Sequence, residues 1–302
     1  MAKETRLSKD QERAQAKREP VRDFLKDLVF VLVAFFFLNS FVLASFEVPT
    51  GSMENEIMAG DFLFVNKFIY GGTTPRTIPF TNIRLPWFRV PAFRSVERGD
   101  VIVFEFPGQR EEVQSPEFMF YLKRAVALSG DTVRVVNRIL YVNGKPSPLP
   151  RNMKFSHPSQ RPPAGYVDSK IFPKGSPFNE EFWGPVVVPK KGDTVELSRA
   201  TYDRWATFIE REGHTIRIDD HGRIFVDGAE TSRYTVERNY LFGMGDNRDN
   251  SLDSRFWGFV PEENIVGTPM IVYWSWDPDT PITNIVEKLG SIRLNRIFTL
   301  IR

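Results

Sequence analysis

Ser52 and Lys123 are the two residues whose types and surroundings could together do covalent chemistry. The 302-residue chain has no cysteine, so a cysteine nucleophile is excluded. Its three histidines (His157, His214 and His221) lie outside any recognisable motif, so a Ser-His-Asp triad is hard to build. A serine can instead be activated by a lysine that has lost its proton. Because only about one lysine in 2,500 is neutral at pH 7, such a lysine must lie among apolar side chains, which lower its pKa.

Lys123 meets that requirement, since it lies within an apolar segment at 118–128. The alternative is the common one, an amine that extends from a strand edge into solvent. Ser52 follows Thr50 and Gly51, where the glycine permits a close backbone approach and the threonine offers a second hydroxyl. A simple turn after a helix is the alternative there.

A third segment, residues 245–255, contains three aspartates, two arginines and two serines between a glycine and an apolar run at 256–261. Buried polar groups need partners, so this density of both charges indicates a polar network held against a core. A solvated turn with paired charges is the alternative.

Residues 28–46 form an apolar segment of 19 residues, interrupted by Asn39, Ser40 and Ser45. As a helix it spans roughly 28 Å, close to the hydrocarbon thickness of a bilayer. A cleaved signal peptide would have a shorter polar start and a shorter apolar run, and a buried core helix would be less uniformly apolar. We therefore predict a membrane span.

The charges on either side of this segment predict its orientation. Eight lysines and arginines precede it and none occurs within residues 47–66. Positive residues stay in the cytoplasm, so the N-terminus is expected inside the cell and residues 47–302 outside. The first 22 residues are polar and without periodicity, which predicts a disordered or frayed tail.

The remainder predicts a mainly β fold built of short strands. Residues 61–66 and 100–106 are β-rich runs whose continuous apolarity predicts burial on both faces. Two similar segments, 131–144 and 214–228, are predicted as hairpins with an Asn-Gly or Asp-Gly turn. Within residues 131–238, residues 146–190 hold ten of the chain's 22 prolines and should be mostly irregular, and 200–213 is the one predicted helix.

Two further segments leave alternatives open. Residues 71–94 form a predicted loop whose aromatic and apolar side chains lie either at the membrane interface or against their own domain; they are Ile78, Phe80, Trp87, Phe88 and Phe93. Residues 281–302 are basic and apolar, and they either touch the membrane surface or close the domain as a strand or helix.

We therefore predict a single N-terminal transmembrane helix followed by an antiparallel β catalytic domain with an inserted β-rich subdomain. The predicted parts are a cytoplasmic tail at 1–27, the span at 28–46, the catalytic domain at 47–130 and 239–302, and the inserted subdomain at 131–238. A net charge of +2, with basic and acidic residues interleaved, argues against nucleic-acid binding. No metal-ligand spacing occurs, so no metal is expected.

Four segments taken together resemble bacterial signal peptidase I, also called leader peptidase. They occur in the family's order and are residues 49–67, 98–104, 121–131 and 245–261. The resemblance implies Ser52 as nucleophile and Lys123 as general base, with Thr50 and the Ser52 backbone N–H forming the oxyanion hole. Neither a metal nor an organic cofactor is implied.

The resemblance also implies the roles of the surrounding residues. Ser251 would hold the Lys123 amine by a hydrogen bond, and ion pairs of Arg124 with Asp246 and of Asp253 with Arg255 would brace the site. Shallow substrate pockets for small residues, such as alanine one and three positions before the cut, would be lined by Phe46, Val48, Met53, Ile57, Tyr121 and Leu122.

One segment departs from the family pattern. The family commonly has Ser-Met-x-Pro-Thr-Leu after the nucleophile, where this chain has Glu54, Asn55, Glu56 and Ile57 after Met53. The missing proline removes a constraint on φ, and two carboxylates near the amine would raise its pKa unless they face solvent.

The expected function is therefore that of a membrane-anchored endopeptidase of the bacterial inner membrane, which cleaves secretory preproteins through an acyl-enzyme. Its partners would be preproteins and membrane lipid, and we expect a monomer. Two other functions are alternatives. A self-cleaving Ser-Lys protease like the SOS repressors would be cytosolic, and its repressors carry a DNA-binding head. A catalytically silent, anchored binding module is supported only by the altered residues after Met53.

Overall fold

The computed structural model describes residues 9–76, 81, 83–157, 159, 161–163 and 165–302, with side chains from residue 21 onward. Its helices and strands follow in chain order: α1 (Lys9–Phe41), β1 (Leu43–Glu47), β2 (Asp61–Asn66), β3 (Val101–Glu105), β4 (Phe120–Ala127), β5 (Thr132–Val136), β6 (Ile139–Val142), β7 (Lys145–Pro146), β8 (Phe182–Val187), β9 (Thr194–Glu196), α2 (Tyr202–Arg211), β10 (Ile216–Ile218), β11 (Ile224–Val226), β12 (Ala229–Glu230), β13 (Arg233–Thr235), β14 (Tyr240–Met244), α3 (Ser254–Trp257), β15 (Val260–Pro261), β16 (Ile265–Ser275) and α4 (Ile285–Gly290). The mainly β fold predicted from the sequence is confirmed.

Helix α1 contains a stretch, Val21–Phe41, that is long and apolar enough to cross a membrane, and only 6% of it is buried within the protein. The predicted frayed tail is wrong for residues 9–22, which are helical. Lys, Arg, Glu, Gln and Ala dominate there, and these residues have high helix propensity. The predicted span also extends too far, because Leu43–Glu47 pairs with β2 instead of continuing the helix.

A seven-stranded antiparallel sheet, in the order β1-β2-β16-β3-β4-β14-β15, carries the residues of the predicted catalytic site. Strand β3 is buried on both faces, as predicted. Ile102 and Phe104 pack into one hydrophobic cluster and Val101 and Val103 into another, as the alternation of side chains along a strand requires. Predicted strand 61–66 is confirmed as β2, but its predicted burial on both faces is wrong, because Phe62, Phe64 and Asn66 are only half-buried. Strand β16 at its side was not predicted.

Residues 131–238 contain three smaller sheets and helix α2, which confirms the predicted helix near 200–213. Both predicted hairpins form. Asn143-Gly144 and Asp227-Gly228 each adopt positive φ, as two-residue turns of this kind require. The hydrophobic cluster of this region includes Phe242 and Phe259, so an inserted subdomain at 131–238 would share its core with the main sheet.

The loop at 71–94 packs against the end of α1. The Phe88 ring lies 6.0 Å from the Phe41 ring, while Phe93 is 79% exposed. Ile78 and Phe80 lie outside the described residues. The C-terminal segment closes the domain, because Leu300 pairs with Ile271 of β16 and Ile301 packs into the core.

Candidate active site

The structure brings Ser52 and Lys123 into direct contact, although 71 positions separate them in the chain. Strand β4 carries Lys123, and Ser52 lies in the loop between β1 and β2. The Lys123 Nζ and Ser52 Oγ atoms are 2.6 Å apart, and Nζ also donates to the Leu122 carbonyl oxygen at 3.0 Å. This distance permits direct proton transfer between the hydroxyl and the amine.

The Lys123 side chain is only 4% exposed. Burial lowers the pKa of its amine from 10.5 to about 8, while the carboxylates of Asp253 and Asp246 act in the opposite direction. At neutral pH the fraction of neutral amine is therefore roughly 300-fold higher than for a solvent-exposed lysine. The structure thus provides the desolvation that the apolar flanks of Lys123 predicted.

Asn247 holds the loop that carries Ser52. Its backbone N–H donates to the Ser52 carbonyl oxygen at 3.0 Å, and its side-chain Nδ2 donates to the Gly51 carbonyl oxygen at 3.1 Å. The Asn247 side chain is fully buried, and its Oδ1 accepts from the Ser156 hydroxyl. Sequence reasoning named the segment but missed this residue. The sequence signal that could have identified it is an uncharged amide side chain between the charged residues Asp246 and Arg248.

Gly245 lies where no side chain fits. A Cβ atom built on it would be 2.2 Å from the Ser251 Oγ atom and 2.5 Å from the Ser52 carbonyl oxygen. Close approach of backbone to backbone therefore requires glycine here.

Both predicted ion pairs form behind the site. Arg124 binds Asp246 with Nη2–Oδ2 and Nε–Oδ1 distances of 2.6 and 2.9 Å, and Arg255 binds Asp253 with two bonds of 2.9 Å. Asp253 is fully buried and also caps α3 by accepting from the Arg255 backbone N–H. Bidentate pairs of this kind restrict the geometry of the loop between them.

The predicted hydrogen bond between Ser251 and Lys123 is absent. The Ser251 Oγ atom is buried and has no hydrogen-bond partner among the described residues, whereas the amine is directed to Ser52 and the Leu122 carbonyl. The sequence shows that Ser251 belongs to the polar segment at the site, but it does not determine which rotamer the Lys123 side chain adopts.

A cavity of about 340 Å³ opens beside the contact between Ser52 and Lys123. Five of the six predicted substrate-binding residues line it, as does Thr50, which is exposed. Further lining residues that sequence reasoning missed are Glu47, Pro49, Leu63, Val103, Phe120, Asn250 and Leu252. Ile57 does not line the cavity, because it is fully buried in the core beneath the loop.

The two carboxylates that follow Met53 are bound elsewhere. Glu54 pairs with Lys154 at 3.0 Å and also accepts from the Asn247 side chain. Glu56 is buried and accepts from the Asn152 side chain and from the backbone N–H of Arg302. The carboxylates that raise the pKa of Lys123 are those of Asp253 and Asp246, so the contacts of Glu54 and Glu56 give no support to a catalytically silent module.

Comparison with known proteins gives a consistent result. A family model described as "Signal peptidase, peptidase S26" matches residues 21–274. The chain is similar to signal peptidase I of Haemophilus influenzae, with 30% identity covering 96% of this chain and 80% of that protein. It is also similar to signal peptidase I of Pseudomonas aeruginosa (31% identity, 87% and 74% covered) and of Aquifex aeolicus (26% identity, 92% and 97% covered).

Proposed function

Because the chain belongs to the signal peptidase family, peptidase S26, we propose that it removes signal peptides from exported preproteins with a Ser52–Lys123 dyad. Family membership establishes the coarser function, signal-peptide removal by a serine protease. The observation that supports the dyad is the 2.6 Å contact between a serine hydroxyl and a buried lysine whose pKa is lowered to about 8.

In the proposed reaction the neutral Lys123 amine accepts the Ser52 proton as Oγ attacks the scissile carbonyl carbon. The carbonyl π electrons move to oxygen, and the resulting oxyanion accepts hydrogen bonds from the Ser52 backbone N–H and the Thr50 hydroxyl. The C–N bond then breaks, and the Lys123 ammonium returns its proton to the leaving amine. Water, deprotonated by the Lys123 amine, then attacks the acyl carbon. The ester C–O bond breaks, and the Lys123 ammonium protonates the Ser52 Oγ atom, which regenerates both residues.

The surrounding residues position this pair. The ion pairs of Arg124 with Asp246 and of Asp253 with Arg255 fix both ends of the segment that contains Asn247 and Ser251. Asn247 in turn holds the Ser52 loop. In this proposal Ser251 packs beside Gly245 and helps hold the Ser52 loop in place.

We also propose that α1 spans the bacterial inner membrane once, with the N-terminus in the cytoplasm. The Val21–Phe41 stretch and the basic residues before it support this orientation. Confining enzyme and preprotein to one membrane surface raises their effective concentration. The enzyme acts as a monomer on preproteins at the lipid surface, without nucleic acid and without a cofactor.

The size and lining of the substrate cavity indicate which residues are accepted before the cleavage site. Phe46, Val48 and Leu122 give it apolar walls beside Ser52, and cleavage should follow small residues such as alanine one and three positions before the cut. Replacing alanine at the first position before the cut with phenylalanine should lower kcat/KM at least ~100-fold, because the side chain meets the cavity walls. The measurement is cleavage of a purified preprotein by the full-length chain, with sequencing of the new N-terminus.

The matched substrate carries phenylalanine two positions before the cut. Side chains alternate along an extended peptide, so this one points away from the cavity and should be tolerated. Equal cleavage of the two substrates, or a cut at another site in the parent preprotein, would contradict the proposed specificity.

The pH profile should rise through about 8, because the base form of Lys123 is populated only above its lowered pKa. Below that pH, kcat/KM should fall roughly tenfold for each pH unit. Lys67 is the matched control: burial also lowers its pKa to about 8, and its amine donates to the Asn39 carbonyl oxygen, away from Ser52. The Lys67→Arg variant should keep the acidic limb. If the limb disappears in that variant, Lys123 is not the group that titrates.

A further inference from the structure

The buried guanidinium of Arg248 forms no ion pair with any residue that the structure describes. Its side chain is 4% exposed, and its Nε atom is buried without a hydrogen-bond partner among the described residues. The two carboxylates that act on it electrostatically are already engaged, because Asp246 is bound by Arg124 and Asp253 by Arg255. Arg248 therefore forms no ion pair of its own with either of them. Burying a charge without a partner is strongly unfavourable, so this arrangement points to a missing anion.

The Arg248 guanidinium borders two cavities with different charges. The smaller, of about 220 Å³, is lined by the acids Asp168, Glu180, Glu181 and Asp249, which disfavour an anion. The larger, of about 530 Å³, is lined by four basic residues and by no carboxylate-bearing residue among those described. Arg98 and Arg124 are paired with Asp131 and Asp246, whereas Lys145 and Arg248 form no ion pair with a described residue.

The larger cavity has the features of an oxyanion site. Val126, Leu140 and Val142, with three prolines of the irregular segment, form apolar walls that strengthen electrostatic attraction. Lys145 follows the Asn143-Gly144 turn and is exposed, so its ammonium can move towards a bound ligand. Guanidinium and ammonium groups together are the usual donors to tetrahedral oxyanions.

We propose that this cavity binds a phosphate-type oxyanion. It is separate from the substrate cavity, because Lys123 and Arg124 are neighbours on β4 and their side chains leave opposite faces of the strand. The bound anion neutralises Arg248 and contacts Arg124, the partner of Asp246. It thereby stabilises the segment that holds the Ser52 loop. Inorganic phosphate and the phosphate of an anionic lipid headgroup share this chemistry.

The test is thermal unfolding of the full-length chain in an uncharged detergent, with sodium phosphate titrated against sodium chloride at equal ionic strength. Phosphate should raise the Tm more than chloride, since a ligand that binds only the folded state stabilises it. The Arg248→Gln variant should weaken the apparent affinity at least about tenfold. Lys145 is exposed, so the Lys145→Ala variant should keep the fold, and it should weaken the apparent affinity for phosphate several-fold.

Lys170→Ala is the matched control, because Lys170 is exposed and lies outside the cavity lining. It should respond to phosphate like the wild type. To distinguish the sources, wild type and Lys145→Ala are reconstituted without phosphate in vesicles of phosphatidylglycerol or of phosphatidylcholine. A Tm increase in phosphatidylglycerol that depends on Lys145 identifies a lipid headgroup, and a response confined to inorganic phosphate identifies a free anion. Two results would overturn the proposal. One is an equal change in Tm with phosphate and with chloride, and the other is a Tm increase, in phosphate solution and in phosphatidylglycerol vesicles alike, that is the same in Lys145→Ala as in the wild type.

Discussion

Replacing Ser52 with alanine is expected to lower kcat for preprotein cleavage by at least ~10⁴-fold, since it removes the atom that forms the acyl-enzyme. Lys123→Ala should have an effect of the same size, because no other described side chain hydrogen-bonds to the Ser52 hydroxyl. The two residues act as a unit, so the double variant should be no slower than either single variant. Initial rates of product formation from a purified preprotein measure all three.

Ser45→Ala is the matched control for Ser52→Ala. Ser45 lies in β1, and its hydroxyl contacts the Tyr273 hydroxyl rather than the substrate cavity. This variant should keep wild-type activity, and all variants should show the wild-type circular dichroism spectrum. Cleavage at the wild-type rate by Ser52→Ala or Lys123→Ala would exclude the proposed dyad. The chain would still be a signal peptidase, but other residues would catalyse the cleavage.

Replacing Gly245 with alanine is expected to lower kcat/KM at least ~100-fold. The added Cβ would overlap the Ser251 side chain and the Ser52 carbonyl oxygen, at 2.2 and 2.5 Å, so the loop that carries the nucleophile must move. A displacement of about 1 Å in a catalytic group can cost ~100-fold in rate. The effect should fall on kcat more than on KM, because the substrate cavity is lined by other residues.

The control for this change is Gly290→Ala. No atom lies within 4 Å of a Cβ built on Gly290, and its φ is not in the left-handed region. That variant should be fully active, and its Tm should be unchanged. If Gly245→Ala is as active as Gly290→Ala, the close packing of residue 245 against Ser52 does not occur in solution.

Local patterns predicted the elements whose residues are neighbours in the chain. Strand β2, the Asn-Gly and Asp-Gly turns and helix α2 were each predicted from residue types that lie within about ten positions of one another. The end of α1 was mispredicted because Leu43, Ala44 and Phe46 continue the apolar run of the span. Only their pairing with β2, some twenty residues later, makes them a strand.

The amino-acid sequence by itself determined which chemistry is available: a serine after a glycine, a lysine among apolar residues, and neither cysteine nor a histidine in a catalytic motif. Only the tertiary structure decided how these groups meet. Side-chain direction depends on strand register and on contacts between distant segments, which no local pattern records. For that reason Asn247, Ser251 and Ile57 have neighbours that the sequence did not show, and the unpartnered Nε atom of Arg248 became visible only once its described neighbours were in place.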